Sequence, residues 1–234
     1  MNLNKKKAVV FGGTSGIGRA TSIALADQGA EVYVVSRNAE ALTTLPETIR
    51  RFNCDVCDED AVRATFAKIG PLDIIISSAT GGSRTLSCFP EMDMDSYRGS
   101  FAKLWGYAHV VRHGIEWLRE SGAIVLVSGS PARRCDPGQV ALSSVGAAIE
   151  AMVRGVAKEI VPRRINALCP GLIDTPILQK KGAERIEHYK KFTAGNLIPR
   201  PGTPEECAHG ILFLLENEFV TGTVLDVDGG RLLS

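Results

Sequence analysis

The stretch Lys7–Arg19, KAVVFGGTSGIGR, decides how the chain is read. A short apolar run, Ala8 to Phe11, ends in Gly12-Gly13-Thr14-Ser15-Gly16-Ile17-Gly18, and Ala20, Ile23, Ala24 and Leu25 follow at helical spacing. Strand, glycine turn and helix in that order give a glycine motif the context of a dinucleotide site. Gly12 permits the tight turn, Gly16 lets backbone approach a pyrophosphate, and Gly18 lets the helix pack close to the strand. The helix N-terminus adds free N–H groups and the positive end of a dipole. A glycine-rich turn that binds nothing is the plainer reading of the same residues.

Outward from this stretch, apolar runs and helical periodicities alternate to the end of the chain. Strands are predicted at 8–11, 31–36, 50–55, 73–78, 123–128, 164–169 and 224–227, and helices at 17–28, 39–45, 59–69, 94–119, 140–161 and 204–215. Such alternation predicts an α/β fold: one doubly wound domain over residues 1–234, with a mainly parallel seven-stranded sheet and helices on both faces. The least regular segments, about 80–93 and 172–202, follow strands on the edge where open α/β sheets bind ligands, so both are candidate substrate loops.

The bulk numbers suit a globular domain, with 234 residues, 44% hydrophobic and 23% charged. Lys plus Arg number 27 against 26 acids, which gives no broad electrostatic reason to expect nucleic acid or an anionic membrane. No run approaches the roughly 20 apolar residues of a membrane span, and a cytoplasmic location is expected. Cys54 and Cys57 have a C-x-x-C spacing near a predicted helix start, where a thiol pKa can fall. Two further close ligands for a zinc site are absent, so buried free thiols are the simpler reading. His109 and His113 stand four apart, but no third ligand is near them in sequence, and no metal is expected.

The end of the second predicted strand, Val34-Val35-Ser36-Arg37-Asn38, bears on the cofactor. NAD sites place an acid there for the ribose 2′-hydroxyl, whereas NADP sites offer a cation to the 2′-phosphate. Ser36 and Arg37 stand where the acid would be, and Arg19 could join them. NADP(H) is therefore expected over NAD(H).

Taken together, these features resemble the short-chain dehydrogenase/reductase family along nearly the whole chain. Gly12-x-x-x-Gly16-x-Gly18 resembles its glycine motif, with Phe11 in place of the usual threonine. Asp55-Val56 resembles the pair that binds adenine, and Ser77-Ser78-Ala79-Thr80 occupies the place of the usual Asn-Asn-Ala-Gly. Arg164 to Gly171 resembles the late strand, its extension Leu172-Ile173-Asp174-Thr175 the loop that holds the nicotinamide carboxamide, and Val220-Thr221-Gly222 with Val227-Asp228-Gly229-Gly230 the C-terminal signature. The resemblance implies that Gly12, Thr14, Ser15, Gly16, Ile17, Gly18, Ser36, Arg37, Asp55, Val56, Ser78, Ala79, Pro170, Gly171, Ile173 and Thr175 bind cofactor.

The chemistry is where the resemblance breaks. An ordinary member uses a tyrosine as proton donor, a lysine four residues on, a serine and an asparagine. Those places fall on Leu142, Gly146, Gly129 and Lys103. No tyrosine or lysine occurs between Arg119 and Lys158, so a small shift in alignment does not restore the pair. Candidate substitutes are Ser128 or Ser130, to hydrogen-bond a carbonyl, and Lys103, to donate a proton if burial lowers its pKa. The plainer readings are a solvated loop serine and a surface lysine with a snorkelling side chain. Tyr107, one turn from Lys103, is expected to pack in the core or at an interface. Arg133 and Arg134 could clamp an acidic substrate or nucleotide, or stand solvated.

Val145, Gly146, Ala147, Ala148 and Ala151 form a small-residue stretch that invites close helix packing. By resemblance this implies a homodimer or homotetramer. Three functions stay open: an NADP(H)-dependent oxidoreductase with Lys103 and Ser128 acting on a small carbonyl or alcohol; a catalytically silent subunit in a hetero-oligomer with an intact relative; and a lyase, isomerase or cyclase reusing the pocket.

Overall fold

A computed structural model of the chain describes residues 1–39, 45–82 and 84–234. Seven strands form one sheet: β1 (Lys7–Phe11), β2 (Glu31–Ser36), β3 (Arg50–Asn53), β4 (Leu72–Ser77), β5 (Leu118–Val127), β6 (Arg164–Pro170) and β7 (Val224–Val227). Their order is β3-β2-β1-β4-β5-β6-β7, and every pairing is parallel. The helices are α1 (Gly16–Asp27), α2 (Glu59–Ile69), α3 (Met94–Ser100), α4 (Ala102–Gly114), α5 (Val140–Val156), α6 (Gly182–Thr193) and α7 (Pro204–Glu216). The fold is the predicted one, a doubly wound domain like those that bind dinucleotides.

Alternation along the strands builds two cores. Val9, Phe11, Val35 and Ile75 point to one face and pack with Phe66 of α2, Val110 of α4 and Ile149 of α5. Ala8, Val10, Val34 and Ile76 point to the other, against Leu25 of α1 and Ile211 of α7. Each Val, Ile, Leu or Phe so buried contributes roughly 1.5–3 kcal/mol. Polar anchors hold the register. Asp73 accepts from Lys6 Nζ at 3.2 Å, the Lys7 backbone N–H at 3.0 Å and Arg119 at 3.2 Å, tying β1, β4 and β5 together. The Arg164 guanidinium donates to the carbonyls of Leu214, Leu215 and Val220, so it closes the C-terminal end of α7 on β6.

Several boundaries depart from the predicted ones. The helix predicted at 39–45 lies, but for its two end residues, outside the described residues. The helix predicted at 94–119 divides into α3 and α4 at Phe101, which stays close to helical geometry (φ −73°, ψ −9°) and so leaves the periodicity intact. It then stops at Gly114, packed so near β4 that a Cβ there would lie 2.5 Å from Ile75 Cδ1. The chain enters β5 at Leu118, opposite Leu72, earlier than predicted. α5 ends at Val156, short of the predicted 161, as turns carry Ile160 back into the core. β3 ends at Asn53 because Asp55 leaves the ladder and accepts the Cys57 N–H at 2.9 Å. Within 172–202, read as irregular, α6 forms. Its polar surface masks the periodicity, and only Tyr189 and Thr193 are buried.

Candidate active site

A cavity of about 720 Å³ opens at the carboxyl ends of the strands, where α/β sheets of this order bind ligands. All of the residues predicted to bind cofactor line it: Gly12, Thr14, Ser15, Gly16, Ile17, Gly18, Ser36, Arg37, Asp55, Val56, Ser78, Ala79, Pro170, Gly171, Ile173 and Thr175. Lys103 and Ser128 line it too. Arg19 does not, so it does not join Arg37 at the cavity wall.

The glycine turn is built as its residue types require. Gly12 has φ +77°, and a Cβ there would fall 2.7 Å from the Ala79 nitrogen. A Cβ on Gly18 would lie 2.2 Å from the Gly12 carbonyl oxygen, so only glycine lets α1 start this near β1. Ser15 precedes α1 without capping it through its side chain, and the first turn carries no acid. The first N–H groups of α1 therefore meet the cavity with no internal acceptor, a donor set that suits a phosphate anion. Arg37 at the end of β2 and Thr175 beyond β6 flank this turn.

Lys103, on the first turn of α4, reaches under the cavity floor. Its Nζ donates to the Ser128 carbonyl at 3.2 Å and stands 5.4 Å from the Tyr107 ring centre. Burial, aided by the Arg84 charge, brings its ammonium from an ordinary 10.5 down to about 7. The snorkelling reading is thereby replaced. Tyr107 is fully buried, its hydroxyl donates to the Val127 carbonyl at 3.0 Å, and burial raises its pKa, so it supports the floor.

Ser128 is also buried, and its hydroxyl donates to Glu150 at 3.1 Å. The side chain thus offers lone pairs to the cavity while its proton is directed at Glu150. Arg133 stands 3.4 Å from the other Glu150 oxygen and pairs with Asp226, which holds its pKa up. Arg134 donates to the Arg231 carbonyl. Neither arginine lines the cavity, so the clamp gives way, and although Arg133 stays exposed both are engaged as a brace between the β5 loop and the C-terminus.

Leu142 and Gly146 line the cavity from α5. The turn Ser130–Ala132 lies directly on Gly146, where a Cβ would come 2.9 Å from the Ala132 Cβ. The predicted small-residue stretch does not present one face. Val145 and Gly146 are buried, whereas Ala147 and Ala151 are exposed on the other side of α5.

Other sequence candidates have ordinary roles. Cys54 is buried and Cys57 exposed, and desolvation raises both thiol pKa values, the opposite of a reactive pair. His109 bonds the Val56 carbonyl at 3.0 Å and His113 bonds Glu59 at 2.8 Å. Among the described residues no group of three or more His, Cys, Asp or Glu gathers as a metal site. No helix among them is long and apolar enough to cross a membrane.

Both segments read as candidate substrate loops contribute lining residues that the sequence did not single out. Arg84 reaches the cavity from the loop after β4, and desolvation by the surrounding protein lowers its pKa, while the open cavity keeps it accessible. His188, Tyr189 and Phe192 reach it from α6, whose Tyr189 hydroxyl donates to Asp174 at 3.0 Å. No motif marks either segment, although a helical pattern of Ile186, Tyr189 and Phe192 was there to find.

Comparison with known proteins agrees with this geometry. The family model described as enoyl-(acyl carrier protein) reductase matches residues 12–231. Carbonyl reductase family member 4 of Danio rerio is 33% identical, covering 97% of this chain and 98% of its own. A small-chain dehydrogenase solved in complex with NADPH superposes with a TM-score of 0.87 at 32% identity, covering 99% of this chain and all of the other. A short-chain oxidoreductase from Pseudomonas aeruginosa PAO1, solved in its apo form and described as containing an atypical catalytic center, gives a TM-score of 0.87 at 28% identity and covers 99% of this chain and 98% of the other.

Proposed function

The chain belongs to the short-chain dehydrogenase/reductase family of oxidoreductases, and we propose that it reduces a carbonyl substrate with NADPH through a non-standard proton donor, Lys103. The observation that carries this is the partly buried Lys103 ammonium beside Ser128 in the floor of the cavity that the glycine turn opens into. The uncapped start of α1, the close-packed glycines and Arg37 fit a phosphorylated dinucleotide. The glycine turn would hold the pyrophosphate, Arg37 the 2′-phosphate, Asp55 and Val56 the adenine, and the Pro170–Thr175 loop the carboxamide. When bound, the cofactor supplies a hydride to a carbonyl carbon.

The protein's own part is the proton and its position. As the carbonyl carbon takes the hydride, the C=O π bond opens onto oxygen, which takes a proton from the Lys103 ammonium. The neutral amine is then reprotonated from solvent. A group titrating near 7 is well matched to proton transfer at neutral pH. The Ser128 carbonyl aims Nζ, and Glu150 and Arg133 brace Ser128 from beneath. Leu142 and Gly146 provide no proton donor, so Lys103 stands in for the usual pair. The solved relative with an atypical catalytic center supports such a departure within the fold. Exposed Trp105 on α4 and exposed Ala147 and Ala151 on α5 support a homo-oligomer through these helices.

Fluorescence titration of purified protein with NADPH and NADH tests the cofactor assignment. Arg37→Ala should weaken NADPH about 10- to 100-fold, as for a lost charge-assisted contact, and leave NADH nearly unchanged. Failure of NADPH to bind the wild type, or binding of NADH in preference to it, would end the reading.

A further inference from the structure

Charge in the cavity is divided. Among the described lining residues the sole carboxylate is Asp55, beyond β3 and beside the adenine end proposed above. At the other end stand Arg84 and Lys103, close enough that the Arg84 charge lowers the lysine pKa, with no carboxylate among the described residues acting on either, whereas Arg231, also in the lining, is paired with Asp136. Two cations that share a cavity wall without a counterion repel one another, and an anion placed between them removes that penalty.

Arg84 is held there by construction. Gly81, at φ +70°, lies so close to α4 that a Cβ would be 2.7 Å from the Ala102 carbonyl carbon, and one on Gly82 would be 2.8 Å from the Gly99 oxygen. Thr85 Oγ1 then donates to the Ser96 carbonyl at 3.1 Å. The chain on both sides of Arg84 is thus tied to the α3–α4 junction, which brings Arg84 next to Lys103. Around the mouth of the same cavity, Leu86, Ile177 and Phe192 remain 66%, 56% and 46% exposed. They form an apolar wall, with the centre of the His188 ring 4.5 Å from that of Phe192.

We infer that the substrate is an oxo acid with an apolar body, its carboxylate held by Arg84, its keto oxygen facing Lys103 Nζ, and its apolar part against Leu86, Ile177 and Phe192. A guanidinium suits the carboxylate because it offers two parallel N–H donors. The inference rests on the proposed reduction for the role of the keto group, but anion recognition by Arg84 stands apart from turnover.

The test therefore has a binding arm and a turnover arm. Calorimetry with unreactive 4-phenylbutanoate and its neutral amide, with and without NADP⁺, reads recognition alone. The carboxylate should bind wild type about 10- to 100-fold more tightly than the amide. Arg84→Gln should abolish the preference and Arg84→Lys keep part of it. NADPH consumption with 2-oxo-4-phenylbutanoate and its ethyl ester reads turnover, with KM rather than kcat carrying the Arg84→Gln effect. Equal binding of acid and amide by wild type, or a preference that survives Arg84→Gln, overturns the inference. Carboxylate preference with no turnover of any carbonyl upholds the Arg84 site and refutes the reduction. Turnover of neutral carbonyls without preference for the acid upholds the reduction and refutes the oxo acid.

Discussion

Replacing Lys103 by methionine should make the protein more stable and less active at once. The ammonium is brought from an ordinary 10.5 to about 7. At about 1.4 kcal/mol per tenfold in proton affinity, the charged form is disfavoured by on the order of 5 kcal/mol. Water reaching the cavity reduces that to roughly half, and losing the Ser128 contact returns about 1 kcal/mol. Lys103→Met should therefore gain about 1–2 kcal/mol at pH 6, a Tm rise of about 2–8 °C for a chain of this size. The sign with pH follows from proton binding. The unfolded lysine keeps its proton to about 10.5 and the folded one only to about 7, so wild-type stability climbs between these values. The advantage of the variant should shrink over the same window. Carbonyl reduction should fall about 10²- to 10⁴-fold with NADPH affinity unchanged. Wild-type kcat for reduction should decline above about pH 7, as the ammonium is lost. Thermal melts at pH 6 and pH 9 and steady-state kinetics check both effects. A lower Tm for the variant at pH 6, or unimpaired turnover, would refute the reasoning.

Reinstating the usual pair with Leu142→Tyr and Gly146→Lys should not raise activity, because Ala132 lies where the new side chain begins. The double variant should instead lose roughly 1–3 kcal/mol by overpacking, read by chemical denaturation. Thr203→Ala breaks the capping box of α7, in which Thr203 Oγ1 accepts the Glu206 N–H at 3.2 Å and Glu206 accepts the Thr203 N–H at 2.8 Å. About 1 kcal/mol of stability should go with it, leaving kcat and KM unchanged.

Most of the architecture was legible because its signals are local. An apolar run followed by Gly12, Gly16 and Gly18 requires a strand, a turn and a helix whoever the neighbours are, and the period of two in β1 and β2 assigns each side chain to one of two cores. Errors gathered where tertiary contacts overrule local pattern. The division at Phe101 is invisible because that residue remains close to helical, and the stop at Gly114 depends on Ile75 and Phe66, far off in sequence. α6 escaped notice because a helix lying over a cavity mouth, with most of its surface wet, needs only a narrow apolar stripe.

The sequence by itself determined the parallel α/β order, the glycine turn, the cation at Arg37, and the absence of any tyrosine or lysine between Arg119 and Lys158. Those are statements about residue identity and spacing along one chain. What Lys103 can do was decided only by the tertiary structure, since a pKa depends on water excluded and charges nearby. Arg84 beside it, Ser128 turned to Glu150, and Ala132 seated on Gly146 are likewise meetings between segments far apart in sequence, which no periodicity records.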